Sequence, residues 1–338
     1  MPHNTLRAVS IATVAFAALI HFSSAQTPPS APQKPLMLIT WFDPGAIALP
    51  AGQDWKPELL TVYDKDRRPV AQFSKGNTGL NASFIIFENL SGTPTAHGCR
   101  QDVIEPLVKN EGKLVSKRTD SEFKSSANEA FATTSYQLDM SLGGIHHPQR
   151  NLFAFAGNAK TCAEIHLSTV HDSPADEAAM TALLADFHPD LNYQPIAPDY
   201  FRLASLLFKN APGNAAPYYK SALDALPNDA SAITARRVIT DQLVMALGMS
   251  GDLKNSRAVA QQAITADPDY PLNYYNLACA DAEAGNPTDA RTHLQQAFDR
   301  RANVIKGETL PDPTKDDSIL KLKKDKAFWT FVEALPKN

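Results

Sequence analysis

The chain has 338 residues, 43% hydrophobic and 20% charged, with 25 Pro, 15 Gly, 3 Cys and a formal net charge of −4. That length provides for about two domains with real cores, and the apolar share excludes wholesale disorder. The lack of a basic excess argues against a nucleic-acid partner, which needs clustered Lys and Arg. Three Cys exclude a disulfide-dense miniprotein or two four-thiolate zinc sites.

Met1–Ala25 opens with Arg7 and no acid, continues through an apolar run from Ala8 to Ile20, and closes on Ser23-Ser24-Ala25. Small residues at −3 and −1 of a cut after Ala25 are what a signal peptidase accepts. The 13-residue run falls short of the roughly 20 residues that cross a hydrocarbon core. Residues 1–25 therefore read as a cleaved signal peptide. Its removal takes away Arg7 and moves the charge from −4 to −5. Residues 26–35 (QTPPSAPQKP) are Pro-rich and polar, an extended linker. The expectation is an exported protein, periplasmic or secreted, with no stable membrane anchor after cleavage.

Residues 36–192 read as an α/β domain. Strand-like runs occur at Leu59–Tyr63, Val70–Phe73, Ala82–Phe87, Lys113–Lys117, Ser135–Met140, Leu152–Ala156 and Thr161–Val170. Arg100–Asn110 and Pro174–Phe187 carry apolar residues at helical spacing. Strands, helix, strands and helix predict an antiparallel sheet with helices packed on it. The element order resembles the PsbP-like α/β/α sandwich. Asn192–Pro198 links this domain to a repetitive C-terminal half.

Periodicity dominates residues 196–305. Leu277-Ala278, Gly285, Ala290, Leu294 and Ala297 recur 34 residues earlier as Leu243-Val244, Gly251, Ser256, Ala260 and Ala263, closed by Pro268. A looser unit carries Leu203-Ala204, Ala215, Tyr219, Ala222 and Pro227. Its interval from Ala204 to Ala215 is one residue short, and Pro227 to Pro268 is seven residues longer than the repeat. Small residues at fixed positions let paired helices approach closely, and Pro ends the second helix of a pair. These spacings resemble the tetratricopeptide repeat (TPR) family, with units at 198–230, 237–269 and 271–303. Residues 306–338 hold Ile319, Leu320, Leu322, Phe328, Trp329, Phe331 and Val332, an apolar face for a C-terminal cap. The fold class expected is α+β: a sheet domain, then an all-α array with its cap.

The resemblance implies a concave face built mainly from the first helix of each pair. Carried onto this sequence, the partner-binding positions are Phe201 and Phe208, then Gln242, Met245 and Met249, then Tyr275, Asn276 and Glu283. Met and aromatic side chains with polar neighbours suit a partly apolar protein or peptide segment. A basic clamp for a terminal carboxylate is not evident, since Gln242 and Asn276 stand where cations would help. The alternative reading is that some of these residues pack against the sheet domain.

Of the three Cys, Cys279 falls on a repeat helix. Cys99 and Cys162 would pair in an oxidising compartment. A metal site drawing on His97, Cys99, Cys162, Glu164 and His166 stays open beside that disulfide. His146-His147 follows Gly143-Gly144 in a hairpin or loop, where adjacent His are usually solvent-facing. Asn81-Ala-Ser and Asn89-Leu-Ser are glycosylation acceptors if the route is eukaryotic. There is no Gly-x-Ser-x-Gly elbow, Gly-rich phosphate loop or His-Glu-x-x-His. The expectation is a non-catalytic interaction or scaffold protein without cofactor or metal; the alternative is an envelope enzyme or metal-binding protein with its site in the α/β domain.

Overall fold

The computed structural model describes residues 79–125, 129–142, 144–170, 173–185 and 187–336, together with the backbone of strands β1 (Leu36–Thr40), β2 (Ala46–Pro50), β3 (Trp55–Tyr63) and β4 (Arg68–Lys75). The signal (1–25) and the linker (26–35) lie outside the described residues. Strand β5 (Leu80–Glu88) precedes helix α1 (Ala96–Glu111). Strands β6 (Val115–Lys124), β7 (Ala130–Leu142), β8 (Ile145–Gly157) and β9 (Thr161–Thr169) come next, then α2 (Pro174–Ala185) and the short β10 (His188–Asp190).

Seven strands form one antiparallel sheet in the order β3-β4-β5-β9-β8-β7-β6. The period-2 alternation of β9 sorts its side chains onto two cores. Ala163, Ile165 and Leu167 join Phe84, Ile86, Phe131 and Ala154 under Met180, Leu183 and Leu184 of α2 and Phe187 just beyond it. Cys162 joins Phe87, Tyr136, Phe153 and Phe155 on the other face, against Cys99 and Ile104 of α1. Helices thus cover both faces of the sheet.

Two features depart from the sequence expectation. A second sheet, β1-β2-β10, has no clear signature in the sequence, because β10 is only three residues long and contains Pro189. β6 runs to Lys124, well past Lys117, although Arg118, Thr119, Asp120, Ser121 and Glu122 are polar. It is an edge strand with a register shift between Ser116 and Thr119, where Lys117 adopts φ +52°. Charges and a bulge protect such an edge from further pairing. His146 and His147 lie near the start of β8 in the β7–β8 hairpin, paired in register with Ser141 and Met140, as expected of a hairpin; their side chains are outside the described residues. Asn89 is buried, donating to the carbonyls of Thr93 (2.6 Å) and Asn158 (2.8 Å), so its amide closes a loop instead of presenting an acceptor.

Cys99 and Cys162 form a disulfide with Cα atoms 5.6 Å apart. It ties the first turn of α1, capped by Thr95 accepting from Gly98 N, to the start of β9. Gly157, opposite Cys162 on β8, is required for this closeness: a Cβ there would sit 2.3 Å from Cys99 Sγ and 2.8 Å from the Thr95 carbonyl.

The helical half consists of α3 (Ala197–Phe208), α4 (Pro212–Asp224), α5 (Ile233–Met249), α6 (Leu253–Ala266), α7 (Pro271–Glu283) and α8 (Pro287–Asp299), closed by α9 (Asp317–Leu320) and α10 (Lys326–Ala334). Consecutive helices pack pairwise. The turn α5–α6 is reproduced 34 residues later by α7–α8. Gly251 and Gly285 take φ +84° and +73°. Asp252 N donates to Leu247 O and Asn286 N to Asp281 O, both at 2.9 Å. Asp252 and Asn286 then cap α6 and α8. The left-handed region favours glycine at that turn. The first pair lacks it: its turn closes by Ala211 N donating to Leu207 O, which accounts for the interval one residue short. The seven extra residues between the first two units form the 3-10 turn Ala230–Ala232 and an added first turn of α5, Ile233–Arg236.

A buried carboxylate with two partners joins the second unit to the third. The Asp281 carboxylate, fully buried on α7, receives Arg257 of α6 and His293 of α8 (2.5 Å). The linker into the array is fastened by Asp199, which accepts from Tyr193 Oη (2.6 Å) and Ile196 N (3.0 Å).

Closing a loop of this size constrains the unfolded chain, so Cys99→Ser with Cys162→Ser should lower stability of the sheet domain by about 4 kcal/mol. Denaturant unfolding followed by tryptophan and far-UV signals checks this. Gly157→Ala should destabilise as well, since the Cβ meets the disulfide.

Candidate functional site

The eight concave-face candidates divide into three groups. Phe201 and Phe208 of α3 are half-buried against the ring of Tyr219 on α4, with centroids 5.9 Å and 6.2 Å apart. Tyr219 Oη donates across to Gln242 Oε1 (3.4 Å), so Gln242 belongs to the same packed seam. The two Phe thus pack within the first unit, and Gln242 joins that unit to the second through Tyr219.

Tyr275, Asn276 and Glu283 of α7 lie beneath the chain's own C-terminal segment or against α5. Tyr275 is buried and its hydroxyl donates to Asp316 (3.3 Å). Asn276 is buried and donates to Asp241 Oδ1 on α5 (2.7 Å). Glu283 pairs with Lys321. One turn earlier Tyr270, fully buried, lies 3.0 Å from both carboxylate oxygens of Glu308 and donates to them. Burial pushes the phenols of Tyr270 and Tyr275 far above their usual range, so both remain neutral donors. Cys279 sits 3.7 Å from the Asp316 carboxylate; burial, then that charge, pushes its thiol well up.

Met245 and Met249 form the third group, on α5. Met245 is half-buried and Met249 is 61% exposed. Of the eight candidates, Met249 is the one that presents most of its side chain to solvent.

Asp241 is not among those eight, although the 34-residue shift that pairs Asn276 with Gln242 also places Asp241 at the position of Tyr275. Burial pushes its carboxyl up to about 6, opposed by hydrogen bonds from Asn276 and Gln242 and reinforced by Glu308. Arg237 is turned away from it, held by Asp267 (2.6 and 3.1 Å) and stacked over Tyr270.

In the sheet domain the metal alternative does not assemble. Cys99 and Cys162 are spent in their disulfide. His166, paired with Asn151 (2.9 Å) and stacked on Phe153, is pushed down to about 4 by burial and is neutral. Among the described residues no group of three His, Cys, Asp or Glu is placed to hold a metal ion. His97 instead lies at 3.4 Å from Glu122, on the rim of a cavity of about 380 Å³. Glu129, paired with His188 of β10 at 3.1 Å, also lines it, together with Phe131, Ala132, Ala156 and Gly157. This cavity carries no periodic signal in the sequence, because its wall joins residues 97, 122, 129 and 189.

No family model matches the chain, and no curated protein matches it. Solved structures similar to it include the Sgt2 TPR domain from Aspergillus fumigatus (16% identity, 43% of this chain and 87% of that one, TM-score 0.31). The C-terminal TPR-containing domain of a Plasmodium falciparum protein is 19% identical over 40% of this chain and 91% of its own, with TM-score 0.30. A multi-domain immunophilin from Arabidopsis thaliana is 11% identical over 64% and 93%, with TM-score 0.28. Since each TM-score lies below 0.5, the assignment of a TPR-like array stands on the recurrence of turns and caps within this chain.

Because Asp241 is protonated more readily in the folded state than in the unfolded chain, stability should fall as pH rises from about 4 through about 6. Asp241→Asn keeps an acceptor for Asn276 and removes that ionisation. It should raise the thermal midpoint above that of wild type at pH 7.5 and by less at pH 5, read by calorimetry on both proteins.

Proposed function

We propose that this is an exported, non-catalytic interaction protein whose helical array engages a polypeptide partner through the second unit. The observation that carries the reading is the open α5 surface at Met245 and Met249, on a TPR-like array whose other concave positions are already engaged within the chain. Met adapts its shape to varied apolar side chains, which suits a peptide surface. The Cys99–Cys162 disulfide supports an oxidising compartment, in keeping with the signal-like Met1–Ala25. Among the described residues no helix is long and apolar enough to cross a membrane. The α/β/α layering of the first half supports its PsbP-like resemblance.

A second reading, favoured by the cavity beside α1, gives the sheet domain a small ligand of its own. Two carboxylates, each beside an imidazole, would favour a ligand rich in hydrogen-bond donors.

Met245→Ser with Met249→Ser should leave the melting temperature within a few degrees of wild type and reduce partner capture from envelope extracts at least fivefold. Unchanged capture counts against the α5 surface. N-terminal sequencing of the exported protein should begin at Gln26.

A further inference from the structure

The third unit differs from the second in what covers its concave face. Glu308–Leu322 runs along α7 and is held at three successive polar points. Tyr270 donates to Glu308, whose carboxylate also accepts from Ile305 N at 3.1 Å. Tyr275 donates to Asp316, with the Cys279 thiol against the same carboxylate. Lys321 meets Glu283. Between these anchors Leu310, Pro313 and Ile319 are buried, as is Leu322 just beyond the last. Of the concave positions of this unit, Tyr275 and Glu283 are therefore taken by one segment, with Cys279 between them, while Asn276 is held by Asp241 of α5.

That segment has the form of a bound peptide. Residues 308–316 contain no helix or strand, and alternate anchored carboxylates with buried aliphatic side chains. The end of the array is closed by α10: Phe328 and Val332 are buried, α10 packs on α8, and Arg291 of α8 lies 4.8 Å over the ring of Phe331, with Leu310, Ile319 and Leu322 in the same core. The polar bonds from Tyr270 to Glu308 and from Tyr275 to Asp316 come in addition to that shared core. Their chemistry is specific, since phenol hydroxyls donating to carboxylates make charge-assisted bonds without needing a cation.

We propose that the concave face of α7 is a binding site for an acidic, aliphatic polypeptide segment, and that Glu308–Leu322 is its resident ligand in cis. This rests on the reading of the array as an interaction module. A partner would present two carboxylates eight residues apart, matching Glu308 and Asp316, with Leu or Ile side chains for the pockets of Leu310 and Ile319. The loop through Gly307 tethers the resident segment at an effective concentration on the order of millimolar. External segments are therefore outcompeted until the cis contacts are weakened.

The test uses the full chain and a fluorescein-labelled peptide of residues 304–324. Wild-type protein should bind it weakly. The triple variant Glu308→Ala, Asp316→Ala, Ile319→Ala leaves α7 unchanged and should bind at least tenfold more tightly. A peptide carrying the same three substitutions should not bind. A triple variant with wild-type helix content and no gain in affinity overturns the proposal. Should that variant fail to fold, a protease site inserted between Lys306 and Gly307 supplies the second measurement. After cleavage, replacement of the native segment by labelled peptide in native mass spectrometry supports exchange. Retention of the segment against excess peptide, or loss of the fold on its release, overturns it. If the peptide tests fail while the Met245/Met249 variant still loses capture, the interaction reading stands without the cis ligand.

Discussion

The helical half depends on how closely paired helices approach at a few small side chains. Val244 and Ser256, then Ala278 and Ala290, occupy matching positions 34 residues apart. Ser256 is buried and donates its hydroxyl to the Val244 carbonyl at 3.1 Å, a contact a larger side chain would prevent. Close packing at such points leaves no room for added volume. It also aligns the turns, so that Gly251 and Gly285 meet the same left-handed requirement and Asp252 and Asn286 cap equivalent helices. The first pair, without that glycine, turns by a different hydrogen-bond pattern and still packs, through Tyr219 against Phe201 and Phe208.

In the sheet domain the comparable constraint is the disulfide beneath α1. Cys99 and Cys162 bring a helix N-terminus onto a central strand pair, and Gly157 leaves the space they need. The core on that face stacks aromatic rings, Tyr136 on Phe153 and Phe153 on Phe155 and His166. A neutral His166 is part of that stack, which is a packing role for a residue whose type alone pointed toward metal or proton chemistry.

Electrostatics in the array is organised by burial. Asp281 is fully buried and doubly paired, the arrangement that makes a buried carboxylate tolerable. Asp241 is stripped of water by burial and lies near the acid of Glu308, so its proton is retained to higher pH although Asn276 and Gln242 donate to it. Tyr270 and Tyr275 supply neutral donors to carboxylates on the returning C-terminal segment. Asp316 serves twice: one oxygen accepts from Ser318 N and Ile319 N at the start of α9, and the other from Tyr275. Local helix capping and tertiary docking of the segment are thereby coupled at one side chain.

Sequence alone determined what repeats and what alternates. The 34-residue recurrence, the strands from β5 through β9, the two sheet-packed helices and the Cys99–Cys162 pair were legible because each has a periodic or compositional signature. The irregular first turn and the extended α5 were visible as a missing residue and a seven-residue excess. Tertiary structure alone decided which concave positions remain open. Tyr275, Asn276 and Glu283 satisfy the repeat spacing as well as Met245 and Met249 do, and no local pattern marks the former as covered. Their partners, Asp316, Asp241 and Lys321, lie 35 to 41 residues away in sequence. Contacts of that kind have no period. They arise where one unit meets the next and where the chain folds back after its last repeat, and only the packed fold shows where that return lands.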